Sequence, residues 1–208
     1  MARFITLIFF SFLFIFILSL IGLRPIHIMI LTFILLLISL YLPTLYYVYF
    51  SRDVDKINQF LLKRQHSPSF KLLYSLANND DIGIEEALDT LIHRQNKQNT
   101  AIYETLYYVY KKDFSRAEQT VKQINHKLYR TYYEVLIIIH TGDKNDAHAA
   151  IESVPNGWMK DALYTEWYQS HNEPLKAREH AQAALHKVKG LNYYLLYKTY
   201  VKEGLYAL

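Results

Sequence analysis

Nine histidines are the side chains of this sequence best suited to proton transfer or metal binding. Two imidazoles hold a metal from one helix face when they stand four residues apart, as in His-Glu-x-x-His. His140, His148, His171, His180 and His186 lack that spacing and read as surface or packing residues. Ser67, Ser69 and Ser153 have no flanking glycines of the kind that expose a nucleophile on a sharp turn, and no glycine-rich loop offers its amides to a phosphate. The adjacent acids Asp80-Asp81 and Glu85-Glu86 suit the positive end of a helix rather than shared-proton chemistry. With no cysteine, disulfides, thiolate metal sites and cysteine nucleophiles are excluded. The expectation is a protein that is not an enzyme and uses no metal or cofactor.

What remains is binding chemistry. There are nineteen tyrosines, with Tyr103, Tyr107, Tyr108 and Tyr110 in one short stretch and Tyr193, Tyr194, Tyr197 and Tyr200 in another. Tyrosines at helical spacing pack their rings and reach water with their hydroxyls, and those on a recognition face bring large contact area at small entropic cost. Between Arg94 and Arg130 there are eight basic residues against Glu104, Asp113 and Glu118, which reads as a solvated helix face, a hold for an acidic tail or a side facing the membrane surface. Residues 1–50 contain Arg3 and Arg24 and no acid, so the rest carries 21 basic and 19 acidic side chains. That near-balance implies no nucleic-acid partner.

The elements that must position these residues repeat. Ala87, Ala117, Ala147, Ala177 and Ala207 stand 30 residues apart. Before them come turn signals such as Asp113, Gly142-Asp143, Asn172-Glu173-Pro174 and Gly204. A fixed period of this length marks a solenoid of helical hairpins, in which no unit buries its apolar face alone. First helices are predicted over Phe70–Asn78, Thr100–Lys112, Lys127–Thr141, Trp158–His171 and Leu191–Glu203. Second helices are predicted over Ile84–Arg94, Phe114–Asn125, Lys144–Val154 and Leu175–Lys187. Asp113 and Asp143 stand where a side-chain oxygen caps the next helix, and Pro174 suits a first helical position.

Ahead of the repeats, Phe4–Leu23 gives 20 uncharged residues and Ile26–Phe50 gives 25 without an acid, lysine or arginine. At 1.5 Å per residue either crosses about 30 Å of hydrocarbon, and the two residues between them allow only a hairpin. Pro43 should kink the second span. That span is expected to run on as a juxtamembrane helix over residues 51–67, stopped by Ser67-Pro68. Arg52, Lys56, Lys63 and Arg64 outnumber Arg24, so the repeat domain is expected in the cytoplasm, with the chain in a cell membrane.

Asp113-Phe114-Ser115-Arg116-Ala117 and Gly142-Asp143-Lys144-Asn145-Asp146-Ala147, followed by Ile151 and Val154-Pro155, resemble the tetratricopeptide repeat. The resemblance covers about residues 68–208, with a period of 30 instead of the family's usual 34. The layout is also similar to a bacterial inner-membrane family associated with haem biosynthesis, with no motif here that carries haem over. The fold expected is therefore all-α: a two-helix transmembrane hairpin over 1–50, then an α-solenoid of four to five repeat-like hairpins over 68–208. The resemblance implies a concave groove, lined by first helices, that takes a peptide or helix of another protein. Carried over by position, its lining includes Ile102, Leu106, Val109 and Tyr110, then Tyr129, Tyr132, Leu136, Ile139 and His140. In the fourth unit it includes Met159, Ala162, Glu166 and Gln169. The function so implied is a membrane-anchored, non-catalytic scaffold, bacterial by its residue usage, in contact with the bilayer and a protein partner. The other reading is a structural subunit of a membrane complex that uses its spans as the main interface.

Overall fold

A computed structural model of the protein describes residues 24–94 and 97–206. The first expected span, Phe4–Leu23, and Ala207 lie outside the described residues. All regular structure within them is helical. The chain divides into two compact units, Met1–Phe50 and Ser51–Leu208.

In the first unit, helix α1 (Pro25–Leu45) opens on a proline, whose missing N–H costs nothing in the first turn. It is long and apolar enough, with the turn that follows it, to cross a membrane over Pro25–Phe50. Large apolar side chains such as Met29, Phe33, Ile38 and Leu42 are exposed on it. The Thr32 hydroxyl is satisfied locally, donating to the Ile28 carbonyl at 2.8 Å. Helical geometry continues through Pro43 to Leu45 and then widens into a π-turn over Tyr46–Phe50. A proline leaves the carbonyl four residues back without its partner, and a widened turn is one way a helix absorbs such a defect.

The second unit starts with a break rather than a continuation. Asp53 is extended (φ −85°, ψ 100°) and its carboxylate accepts from the Lys56 amide at 3.0 Å, which caps a new helix, α2 (Val54–Leu62). The expected continuous stalk is thus interrupted at residues 51–53. Helix α2 buries Ile57, Phe60 and Leu61 and packs within the unit.

Nine helices follow as hairpins: α3 (Pro68–Asn78) with α4 (Asp81–Arg94), α5 (Lys97–Tyr110) with α6 (Phe114–Val121), α7 (Lys127–Thr141) with α8 (Lys144–Ser153), α9 (Trp158–Ser170) with α10 (Pro174–Lys187), and α11 (Gly190–Lys202). Three of the four hairpin turns share one device, and the turn at Gly142, whose backbone is extended, does not. Asn79, Lys112 and Asn172 take left-handed backbone at φ 56°, 56° and 57°. The next residue's amide then reaches back to a carbonyl five residues earlier: Asp80 to Ser75, Asp113 to Tyr108 and Glu173 to Tyr168. This closes one helix and aims the next in about two residues.

That geometry revises the alanine period. Ala117, Ala147 and Ala177 each donate their amide to the residue four before, Asp113, Asp143 and Glu173, which fixes them at one place in the second helix. In the first hairpin the same bond is made by Ile84 to Asp80. Ala87 therefore lies three residues further on, and its match to the 30-residue phase is a coincidence of spacing. All four, with Ile84, are buried between paired helices, where a small side chain permits close approach.

Apolar side chains form three clusters. One joins α3 and α4 through Leu72, Leu76, Ile84 and Leu91. A central one runs from Ala101 through Val121, Leu136 and Ile139 to Leu163. The third joins α9, α10 and α11 through Ala162, Ala181, Leu185 and Tyr200.

Candidate functional site

Helix α11 packs against α2, α3 and α10, and Tyr110 of α5 and Tyr129 of α7 reach it. Three sides of α11 are engaged. One carries Tyr194, Lys198 and Lys202, spaced four apart, and meets α2 and α3. The Tyr194 hydroxyl donates to Asn58 Oδ1 at 2.5 Å and accepts from Asn78 Nδ2 at 3.1 Å. Lys198 donates to Asn78 Oδ1 at 3.1 Å and Lys202 to Asn79 Oδ1 at 2.6 Å. A second side, with Leu196, Tyr197 and Tyr200, packs on the alanines of α10. On the third, Asn192 donates to the Tyr129 hydroxyl of α7 at 3.3 Å. Within α11 only Thr199 and Lys202 are exposed.

The residues expected to line a groove meet different fates. Leu136 and Ile139 are buried in the central cluster, and Ile102, Leu106 and Val109 are half-buried against it. Met159 and Ala162 are buried as well. Tyr110 is half-buried; its hydroxyl donates to Asp81 at 3.4 Å, and the Lys202 ammonium stands 5.7 Å from its ring centroid. Tyr129 and Tyr132 are half-buried, the first holding Asn192 and the second tilted against Trp158 at 5.9 Å. Desolvation pushes the Tyr132 hydroxyl well above its ordinary pKa, so it stays protonated. His140 and Glu166, 26 positions apart in sequence, are brought together at 3.4 Å, with the His140 ring stacked on Phe114 at 4.6 Å.

Beside Glu166 stands a residue the sequence did not single out. Glu203, just past α11, accepts from Gln169 Nε2 at 3.3 Å. Burial, then the charge of Glu166, raise its pKa to about 7; Gln169, Lys202 and Lys112 pull the other way. Buried Tyr200, whose hydroxyl also feels both carboxylates, is raised mainly by desolvation. The inner face can therefore offer hydrogen-bond donors, the two carboxylates of Glu166 and Glu203 and one imidazole.

Three further histidines, His148, His171 and His180, join an aromatic stack between α8, α9 and α10. His148 and His171 lie against Trp167 at 5.4 and 4.3 Å, and His180 stacks on Tyr164 and Tyr168 at 4.9 and 5.3 Å. Tyr164-Tyr168 and Trp167-His171 are four apart, the spacing that could have disclosed it. Among the described residues no group of three His, Asp or Glu gathers to hold a metal ion.

Compared with known protein families, with curated proteins and with solved structures, the chain matches none.

Proposed function

We propose that the chain is a membrane-anchored, tetratricopeptide-like scaffold that holds a protein partner, through a peptide or helix, against the inner face of its hairpins and does no chemistry of its own. The observation that supports it most is the joining of an exposed helix without acid, lysine or arginine, Pro25–Phe50, to a second unit from Ser51 onward that is built of short helical hairpins. Such stacks expose much curved surface for their length and are suited to recognition. The hairpin stack faces the cytoplasm in this reading, on the strength of Arg52, Lys56, Lys63 and Arg64.

A second reading is favoured by one observation: α11 and Glu203 just past it already engage Tyr110, Tyr129 and Gln169. In that case the apolar face of α1 is the main interface and the chain is a subunit of a membrane complex. A photoreactive residue at Tyr129, with the same probe at Phe33, separates the two in intact cells. Capture of one discrete soluble protein at Tyr129 supports the scaffold; capture of an integral membrane protein at Phe33 with nothing at Tyr129 replaces it by the subunit.

A further inference from the structure

We propose that the part of the inner face where Glu166 and Glu203 meet beside the buried Tyr200 hydroxyl is a seat for an arginine side chain of the partner segment. This names the chemistry of the segment held in the scaffold reading, and it rests on that reading.

Three helices bring the groups to one place. On α9, Glu166 and Gln169 lie one turn apart, and Gln169 Nε2 donates to Glu203 Oε2 at 3.3 Å, which holds the residue past the end of α11 on the side of Glu166. From α7, His140 meets Glu166 at 3.4 Å. Tyr200, a turn before Glu203, is 1% exposed, and its hydroxyl has no hydrogen-bond partner among the described residues. That hydroxyl lies within the field of Glu166 and Glu203, and Tyr132 of α7 within that of Tyr200 and Glu166. Thr165 is also near, but its proton goes to the Asp161 carbonyl at 2.9 Å. A buried hydroxyl without a partner is costly, so it points to a group that the chain does not itself supply.

Positive charge is short here. Among the described residues neither Glu166 nor Glu203 has a lysine or arginine at ion-pair distance. Lys202 gives its ammonium to Asn79 at 2.6 Å and, with Lys112, acts on Glu203 only from further off. Burial, then Glu166, hold the Glu203 carboxyl up at about 7, as befits a carboxylate without a close cation. The acceptors are spread too widely for a metal ion, since no three His, Asp or Glu gather closely enough among the described residues. A guanidinium is broad and planar with N–H groups on several sides, so it reaches two carboxylates and a phenol oxygen together. The way in is open: the side chains of Glu166 and His140 are 26% and 29% exposed and Glu203 more so, whereas Leu136 and Ile139 are buried.

The probe is a fluorescent, alanine-based helical peptide with one arginine at its centre, compared with its citrulline and glutamate versions. Binding is read by anisotropy on the full chain in phosphatidylcholine nanodiscs, whose lipid carries no net charge. Citrulline keeps the shape of arginine and removes its charge. The arginine peptide should bind roughly tenfold more tightly than the citrulline one, and the glutamate peptide more weakly than either. Glu203→Gln and Glu166→Gln should each reduce the preference for arginine. Tyr200→Phe should reduce it while citrulline binding stays unchanged, which a loss of folding would not do. Glu203→Gln, at an exposed position, covers the case in which Tyr200→Phe fails to fold. Equal affinity for the arginine and citrulline peptides, or a preference that survives both glutamate variants, overturns the inference and leaves the scaffold standing. Failure of every peptide to bind overturns it too, and the scaffold then stands or falls on capture at Tyr129.

Discussion

Tyr194 donates its hydroxyl to Asn58 at 2.5 Å across 136 positions of sequence, and Asn78 completes the node by donating to the same oxygen at 3.1 Å. The Tyr194 ring is fully buried there. Tyr194→Phe keeps the ring and deletes the hydroxyl, which takes one hydrogen-bond partner from each of two half-buried amides while Asn78 keeps its bond to the Tyr74 carbonyl. A loss of about 0.5–1.5 kcal/mol in urea unfolding is expected. A change under a few tenths would show that water enters the node freely.

Gly83 is required by space rather than by backbone conformation. A Cβ there would collide with the Asp80 carboxylate and the Ser75 hydroxyl, with Asp80 Cγ at 2.9 Å. That carboxylate accepts from the Gly83 amide and from buried Ser75, both at 3.1 Å. Alanine adds up to about 1 kcal/mol of helix propensity, but displacing the cap and stranding Ser75 costs more, so Gly83→Ala should destabilise by about 1–2 kcal/mol. In an Asp80→Ala background the same change should become neutral or favourable, because the group in its way is gone.

The turn register predicts which residues are equivalent. Ile84 takes the place of Ala117 and Ala177. Ile84→Ala should open a cavity worth about 2–5 kcal/mol, and Ala177→Leu should overpack its pair of helices by about 1–3 kcal/mol. Thermal unfolding of both distinguishes this register from the 30-residue one, in which Ala87 would be the tight position and Ile84 an ordinary one.

Glu203 gives the fold a pH dependence of definite sign. Its carboxyl titrates near 7 when folded against an ordinary 4.5, so between those values the folded state holds a proton that the unfolded state has released. Stability contributed by this group therefore falls as pH rises from about 4.5 to 7 and is level above that. The residue's exposed edge tempers the slope. Its charged surroundings are Glu166 on α9, Lys202 on α11 and Lys112 after α5. Glu203→Gln should flatten the profile in denaturation measured from pH 5 to 8; an unchanged profile would assign the dependence to other groups.

Orientation is checked by protease treatment of sealed vesicles. With the hairpin stack in the cytoplasm, residues 51–208 should survive in right-side-out vesicles and be degraded in inverted ones. The reverse pattern refutes the charge-based topology.

Local chemistry made the hairpins legible. Asp113 caps α6 through the Arg116 amide, Pro174 opens α10, and Lys127–Thr141 is a helix with the bounds its apolar period gives. The break at Asp53 was equally local, a capping residue three positions before the Lys56 amide it serves, but the hydrophobic spacing of Val54, Ile57 and Leu61 continues the span and outweighs it. The alanine phase misled because spacing in sequence was taken for position in a helix, and the first repeat, from Asp80 to Asp113, is longer by three residues than those that follow. Closure by α11 left no trace: the contacts of Asn58, Asn78 and Tyr194 pair residues over a hundred positions apart, and such polar pairs have no period. The likeness to a family with an open groove then made Tyr110 and Tyr129 read as free for a partner, when each already has one within the chain.

The distance in sequence between Asn58 and Tyr194 is also a distance in time. At about 5–20 residues made per second, α2 leaves the ribosome on the order of ten seconds before the helix that completes its surroundings. Hairpins such as α3–α4 form from neighbours and have no reason to wait. Ile57, Phe60 and Leu61 do wait, and in the membrane-anchored reading proposed above their most available shelter in that interval is the membrane surface itself. The birth of this protein thus sets a clock that its mature form no longer shows: the first helix of the second unit is among the last to find its place.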